Sequence, residues 1–120
     1  MNSTALTDTL PEVAAYIAAV NAYDLDAIMA TFAADAMVND AHREFTGIAS
    51  IRAWARRDLV DDKVTMTVTE VVPHPTLTIL RARYDGEYDK TNLPDELILT
   101  NYFTTADGKI TSLIIVHNQP

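Results

Sequence analysis

The chain has no cysteine and only three glycines. The lack of thiols excludes disulfides, thiolate zinc sites, iron–sulfur clusters and cysteine nucleophiles. Three glycines cannot supply a glycine-rich phosphate loop. Basic residues are also scarce: nine Lys and Arg against seventeen Asp and Glu give a formal charge of −8. Such an acidic surface repels phosphate backbones and anionic lipids, so we expect neither nucleic acid nor a membrane as a partner.

Long apolar runs are missing as well. No segment approaches the roughly 20 apolar residues that span a bilayer, and the start, Met1 to Ala5, lacks the basic and apolar regions of a secretory signal. We therefore expect a cytoplasmic protein. The 120 residues, 48% of them hydrophobic, suffice for one globular domain.

Metal-binding spacings are absent too. The three histidines, His42, His74 and His117, form neither an HxH nor an HExxH motif. No serine stands in a nucleophile elbow. We therefore predict no metal site and no cofactor.

The first half of the chain predicts helices, because apolar residues recur at i, i+3, i+4 and i+7. The first stripe consists of Val13, Tyr16, Ile17 and Val20. A second follows Asp24, a suitable N-cap, and consists of Leu25, Ile28, Met29 and Phe32. The third consists of Ile48, Ile51, Trp54 and Ala55. A short strand around Met37–Asp40 is predicted between the second and third helices.

The second half changes to a period of two, which is typical of strands. Residues 64–69 alternate strictly, Pro73 and Pro75 interrupt the pattern, and strands are predicted again over 77–84, 95–105 and 110–117. Asp107-Gly108 is a strong hairpin signal between the last two. Helices segregated from a run of strands indicate an α+β fold. A sheet curled around a helix would enclose a cavity.

Three polar residues stand out among apolar ones. Tyr16 lies on the first helical stripe, and Asn101 shares a strand face with Leu97, Leu99 and Phe103. Each polar group either bonds to a neighbouring backbone group or faces a cavity. Asp40 ends the short strand, where most aspartates are solvated turn residues.

Four stretches of the chain resemble the NTF2-like superfamily, in its SnoaL-like and ketosteroid-isomerase-like branch. They are residues 16–29, with the motif Asn21-Ala22-Tyr23-Asp24, residues 32–40, residues 45–52, and the closing hairpin 102–110. The resemblance implies a cone-shaped α+β barrel, with three N-terminal helices packed on a strongly curved, mostly antiparallel sheet. It also implies a homodimer through the outer sheet face. Residues 8–120 would form this single domain, and residues 1–7 a flexible N-terminus.

The resemblance also implies an active site. Asp40 corresponds to the general base of ketosteroid isomerases and Tyr16 to an oxyanion-hole donor. Asn101 stands where those enzymes have an oxyanion-hole aspartic acid, and Ala41 replaces the usual proline after the base. An amide donates a hydrogen bond at any pH but more weakly than a carboxylic acid.

The predicted function is therefore proton abstraction from a small apolar carbonyl compound, with Asp40 as base and Tyr16 and Asn101 stabilising the enolate. The residues expected to line the substrate pocket are Trp54, Phe103, Leu99, Val38 and His42. Two alternatives stay open: a polyketide-cyclase-like enzyme, and a non-catalytic protein of the same fold that binds a hydrophobic ligand. Under the last alternative, Asn101 would bond to nearby backbone.

Overall fold

Helices pack on one face of a six-stranded sheet in the computed structural model, which describes residues 9–117. The predicted flexible segment, residues 1–7, lies outside the described residues. The helices are α1 (Pro11–Asn21), α2 (Leu25–Ala30) and α3 (Ile48–Ala55), and α3 continues into a π-helical turn over Arg56–Asp61. The strands are β1 (Phe32–Asp40), β2 (Arg43–Thr46), β3 (Thr65–Pro73), β4 (Thr78–Asp85), β5 (Leu97–Ala106) and β6 (Lys109–Val116).

The helices begin where the sequence predicts. Pro11 is the first residue of α1, where its missing N–H costs nothing. The Asp24 carboxylate caps α2 by accepting a hydrogen bond from the Ala27 N–H at 3.1 Å. The predicted α1 stripe is buried, with Val13 and Tyr16 fully inaccessible to solvent.

The region after α2 differs from the prediction. Phe32, which the helical spacing assigned to α2, is the first residue of β1, so that strand is longer than the predicted Met37–Asp40 segment. The helix ends because Thr31 turns the chain, with its hydroxyl donating to the Ile28 carbonyl at 2.7 Å. Phe32 then pairs with Ile110 of β6. Tertiary pairing therefore overrides the local helical pattern.

The sheet has the strand order β2-β1-β6-β5-β4-β3. The β1–β6 pair is parallel, and the other neighbouring pairs are antiparallel. The register shifts within three of these pairs, between Val68 and Glu70, between Thr104 and Thr105, and between Phe32 and Met37. Such irregularities increase the local twist and bend a sheet. The predicted α+β class, with helices on a curved, mostly antiparallel sheet, is confirmed.

The closing hairpin forms at the predicted dipeptide. Asp107 and Gly108 both have positive φ, 53° and 74°, as a type I′ turn between β5 and β6 requires. None of the helices within residues 9–117 is long and apolar enough to cross a bilayer.

Candidate active site

A cavity of about 300 Å³ lies between the inner face of the sheet and the end of the α3 region. Its apolar lining comes from strands, from the π-helical turn and from the segment between β4 and β5: Leu59, Val64, Leu93, Leu97, Leu99 and Ile115. Its polar and aromatic lining consists of Asp40, Arg43, Trp54, Asp58, Asp62, Tyr84 and Tyr88. A mostly apolar hollow with a few polar groups is the usual form of a small-molecule site.

The carboxylate of Asp40 is held on one oxygen. The indole Nε1–H of Trp54 donates to Oδ2 at 3.0 Å, and Nη2 of Arg43 lies 2.9 Å from the same atom. Within the described residues, Oδ1 of Asp40 has no hydrogen-bond partner. Because the side chain is 19% exposed at the wall of the cavity, this oxygen is available to a bound molecule.

A second carboxylate is linked to Asp40 through Arg43. Nη2 of Arg43 also lies 2.9 Å from Oδ2 of Asp58, and Nε of Arg57 is 2.9 Å from the other oxygen of Asp58. Asp58 lies in the π-helical turn, a distortion that is frequent at functional sites. Asp40, Arg43 and Asp58 therefore form a row of linked charges along one side of the cavity, and Arg57 extends this row beyond it.

Asn101 is fully buried and makes three hydrogen bonds. Its Oδ1 accepts the hydroxyl proton of Tyr84 at 2.7 Å. Its Nδ2 donates to the backbone carbonyls of Leu80 and Leu99, at 3.3 and 3.4 Å. Of the two possibilities that the sequence left open for this polar group, the structure shows the first: Asn101 ties up backbone groups and does not line the cavity, which it adjoins only through Tyr84.

Tyr16 is fully buried, and the rings of Phe32 and Phe103 pack edge-on against it at 5.8 and 5.6 Å. Among the described residues nothing hydrogen-bonds to its hydroxyl. Burial raises its pKa well above the ordinary value, and the nearby Tyr84 and Asp40 raise it further. Burial likewise raises the pKa of Tyr84. Both phenols are therefore neutral hydrogen-bonding groups at physiological pH.

Only some of the predicted site residues line the cavity. Asp40, Trp54 and Leu99 line the cavity. The other buried members are Tyr16, Asn101, Val38 and Phe103, which lie in the core and are not among the lining residues. His42 is exposed in the turn between β1 and β2, with φ at 71°. Asp40 affects the pKa of both Tyr16 and Tyr84, so these groups share one region of the interior.

Sequence reasoning missed five of the polar and aromatic cavity residues: Arg43, Asp58, Asp62, Tyr84 and Tyr88. For two of them, Asp58 and Tyr84, the spacing in the sequence could have indicated an inward-facing side chain. Asp58 continues the helical spacing of Ile51 and Trp54, which makes it an aspartate on an apolar stripe. Tyr84 follows Leu80 and Ala82 at the strand period of two, on the buried face of β4.

A second cavity, of about 460 Å³, adjoins the first. Tyr84, Tyr88, Leu93 and Leu97 line both. The larger cavity is bordered by charged side chains of both signs: Arg83, Asp85, Lys90, Asp95 and Glu96. The smaller one combines an apolar lining with the oriented Asp40 carboxylate and is therefore the candidate active site. Within residues 9–117 no group of three or more His, Asp or Glu side chains is placed to hold a metal ion.

Comparison with known proteins assigns the fold to a family. Residues 13–113 match the model of the SnoaL-like domain. A candidate polyketide cyclase from Sinorhizobium meliloti is 27% identical, with a TM-score of 0.82, and the match covers 92% of this chain and 97% of that one. A second, from Xanthomonas campestris, is 25% identical, with a TM-score of 0.74 and coverage of 89% and 87%.

A third structure contains a bound ligand. It is a protein of ketosteroid isomerase-like fold from Catenulispora acidiphila in complex with trimethylamine, 26% identical, with a TM-score of 0.75 and coverage of 92% of this chain and 88% of that one. No curated protein sequence matches the chain. The chain belongs to the SnoaL-like family, in the NTF2-like and ketosteroid-isomerase-like branch that its sequence predicted.

Proposed function

We propose that this protein is a cofactor-independent enzyme that removes a carbon-bound proton next to the carbonyl group of a small organic molecule. The general base is Asp40. The observation that carries the proposal is the asymmetry of its carboxylate: Trp54 and Arg43 both hold Oδ2, while Oδ1 has no partner in the described part of the chain. A base fixed on one oxygen keeps the other oriented towards a substrate proton.

Stabilisation of the resulting enolate is assigned to Tyr16, which is fully buried behind the cavity wall and does not line the cavity. In this proposal the bound substrate must therefore reach past that wall to the Tyr16 hydroxyl. This buried hydroxyl has an uncommitted proton within the described residues, and its raised pKa keeps that proton in place. Asn101 was predicted as the second donor, but its amide hydrogens bond to the Leu80 and Leu99 carbonyls. In this proposal it acts through Tyr84, whose ring it fixes at the cavity wall.

The size and lining of the cavity indicate what kind of substrate it would hold. About 300 Å³ is the lower end of the range for small-molecule sites, so a compact, largely apolar compound is expected. The two related candidate polyketide cyclases favour carbonyl chemistry, and the trimethylamine complex of a third relative favours a small-molecule ligand.

The experiment follows hydrogen–deuterium exchange next to the carbonyl of a panel of small cyclic and β,γ-unsaturated ketones by NMR. Asp40→Asn is expected to lower the exchange rate by about 10²–10⁴-fold, the usual contribution of a general base. Asp35→Asn, the same change at an exposed position of the same strand, is the matched control. Equal exchange rates in wild type and Asp40→Asn would refute the assignment.

One observation favours the alternative of a non-catalytic ligand-binding protein. The hydrogen bonds of Asn101 to two backbone carbonyls are what that reading predicts. If the protein only binds ligands, an apolar probe binds to wild type and to Asp40→Asn with the same affinity. The protein then does not accelerate hydrogen–deuterium exchange in any ketone of the panel.

The expected homodimer is proposed to form through the outer face of the sheet. A row of apolar residues crosses three strands there, because Ile79 pairs with Tyr102 and Tyr102 with Ile114. Ile98 and Ile114 are 38% and 36% exposed. Ile114→Glu should convert the dimer to a monomer in sedimentation analysis. A wild-type chain that sediments as a monomer would contradict this.

A further inference from the structure

The hydrogen-bond donors of the cavity's aromatic residues are already used within the protein. The indole N–H of Trp54 goes to Asp40 and the Tyr84 hydroxyl to Asn101. The Tyr88 hydroxyl donates to the backbone carbonyl of Tyr84 at 3.2 Å. A ligand therefore finds no free donor on these three side chains.

The direction of the Tyr84–Asn101 bond is fixed by its surroundings. A backbone carbonyl can only accept, so the amide nitrogen of Asn101 must face Leu80 and Leu99. Oδ1 is then the atom that faces Tyr84, and the phenol must be the donor. With its proton committed, the Tyr84 oxygen can offer a ligand lone pairs only.

The charged groups at the cavity are predominantly acidic. Three carboxylates, those of Asp40, Asp58 and Asp62, lie among the lining residues. Two guanidinium groups oppose them: Arg43 bridges Asp40 and Asp58, and Arg57 pairs with Asp58. Asp62 is half-buried, and within the described residues no side chain hydrogen-bonds to its carboxylate or lies in ion-pair contact with it. Of the three carboxylates it is the one without a contact partner, and the Arg57 guanidinium, which contacts Asp58, interacts with it only at longer range.

We propose that the ligand of this cavity is a small organic cation: a compact, largely apolar carbonyl compound with a protonated amine, for which Asp62 is the counter-ion. The ammonium group supplies the hydrogen-bond donors that the aromatic side chains withhold. The rings of Trp54 and Tyr84 provide a lining that tolerates positive charge, since the face of an aromatic ring is electron-rich. The ring of Tyr88, by contrast, already has the Lys90 ammonium 5.6 Å from its centroid. The inference names the substrate class of the site proposed above and rests on that proposal only for the location of the site.

The test compares three probes of one shape at neutral pH by isothermal titration calorimetry: benzylamine (cationic), benzyl alcohol (neutral) and benzoate (anionic). Benzylamine is expected to bind at least about tenfold more tightly than benzyl alcohol, and benzoate the most weakly. Asp62→Asn should lower the benzylamine affinity by about tenfold and leave that of benzyl alcohol unchanged. Asp61→Asn is the matched control, because Asp61 is the exposed neighbour and does not line the cavity.

Equal affinities for the three probes, no benzylamine binding at millimolar concentration, or equal effects of Asp62→Asn and Asp61→Asn would each overturn the inference. The two proposals fail separately. Selective benzylamine binding without Asp40-dependent exchange refutes only the catalytic function. Asp40-dependent exchange without a preference for the cation refutes only the assignment of the ligand.

Discussion

Tyr84 and Asn101 form a buried side-chain pair across neighbouring strands, with the phenol donating to Oδ1 of the amide over 2.7 Å. The pair lies between the core and the cavity, because Asn101 is fully buried and Tyr84 lines the cavity. A polar pair in such a place is satisfied only as long as both partners are present. The loss of unfolding free energy should therefore differ between variants that replace one partner and the variant that replaces both.

The first prediction is a non-additive double-mutant cycle. Tyr84→Phe leaves Oδ1 of Asn101 without its partner, and Asn101→Leu leaves the phenol without an acceptor, so each single variant should lose about 1–3 kcal/mol of unfolding free energy. The double variant should lose clearly less than the sum of the two, because neither orphaned group remains. Urea denaturation measures all four proteins. Additive losses would mean that the pair is not coupled.

The second prediction concerns alkaline pH. Burial raises the pKa of Tyr16 and of Tyr84 in the folded protein, whereas an unfolded tyrosine titrates near pH 10. The stabilisation is therefore fully present below about pH 10 and is lost as the pH rises above it, by up to about 1.4 kcal/mol per pH unit for each phenol.

The measurement combines phenolate absorbance with denaturation at several alkaline pH values. Two of the five tyrosines should ionise only on unfolding. In Tyr16→Phe, one proton fewer should be released on unfolding at alkaline pH, so the unfolding free energy should fall less steeply with pH. An unchanged slope in that variant would show that Tyr16 ionises in the folded state.

The sequence predicted the parts of the fold that depend on local pattern. The apolar stripe of α1, the Asp24 cap and the turn at Asp107-Gly108 each follow from a spacing or a dipeptide with a direct physical cause. The helical assignment of Phe32 failed because its partner in the sheet, Ile110, is far away in sequence. β2 was missed because Arg43–Thr46 is mostly exposed and has no alternating pattern.

The candidate site was predictable to a similar extent. Asn101 is conspicuous in sequence because an amide interrupts an apolar strand face. Asp40 was predicted as the base from the family resemblance. The network around Asp40 was not predictable, since Trp54 reaches it across 14 positions in a geometry that only packing decides. Tyr88 and Leu93 lie in the segment between β4 and β5, where no periodicity indicates which side chains turn towards the cavity.

The third prediction uses Trp54 as a reporter. It is the only tryptophan, it is buried, and it lines the cavity. Binding of a ligand there should change the intensity or wavelength of tryptophan emission, with a saturation curve that matches calorimetry. A probe that binds by calorimetry but leaves the emission unchanged would place its site elsewhere.

The fourth prediction concerns the positioning role of Trp54. Trp54→Phe keeps an aromatic ring but removes the donor to Oδ2 of Asp40. The exchange rate at saturating ketone should fall by about tenfold or more, with a smaller change in KM, because the base loses its orientation while the cavity wall keeps an aromatic ring. A variant that binds ketone poorly but exchanges it at the wild-type rate would contradict this.

The fifth prediction concerns Gly86, where the segment after β4 meets the end of the π-helical turn. A Cβ there would lie 2.8 Å from the Asp62 carbonyl oxygen, which also accepts the Glu87 N–H at 2.6 Å. Gly86→Ala must therefore displace this contact. It should cost about 1–3 kcal/mol of stability and weaken ligand binding, since Tyr88 and Leu93 of the same segment line the cavity.

The control for this variant is Gly108→Ala. Gly108 has free space around its Cβ position but a φ of +74°, so alanine there should cost about 1 kcal/mol through backbone strain alone. It lies in the β5–β6 turn and does not line the cavity. If both variants lose stability and only Gly86→Ala loses affinity in calorimetry, the contact at Asp62 supports the cavity wall. Equal affinities in the two variants would show that the wall does not depend on it.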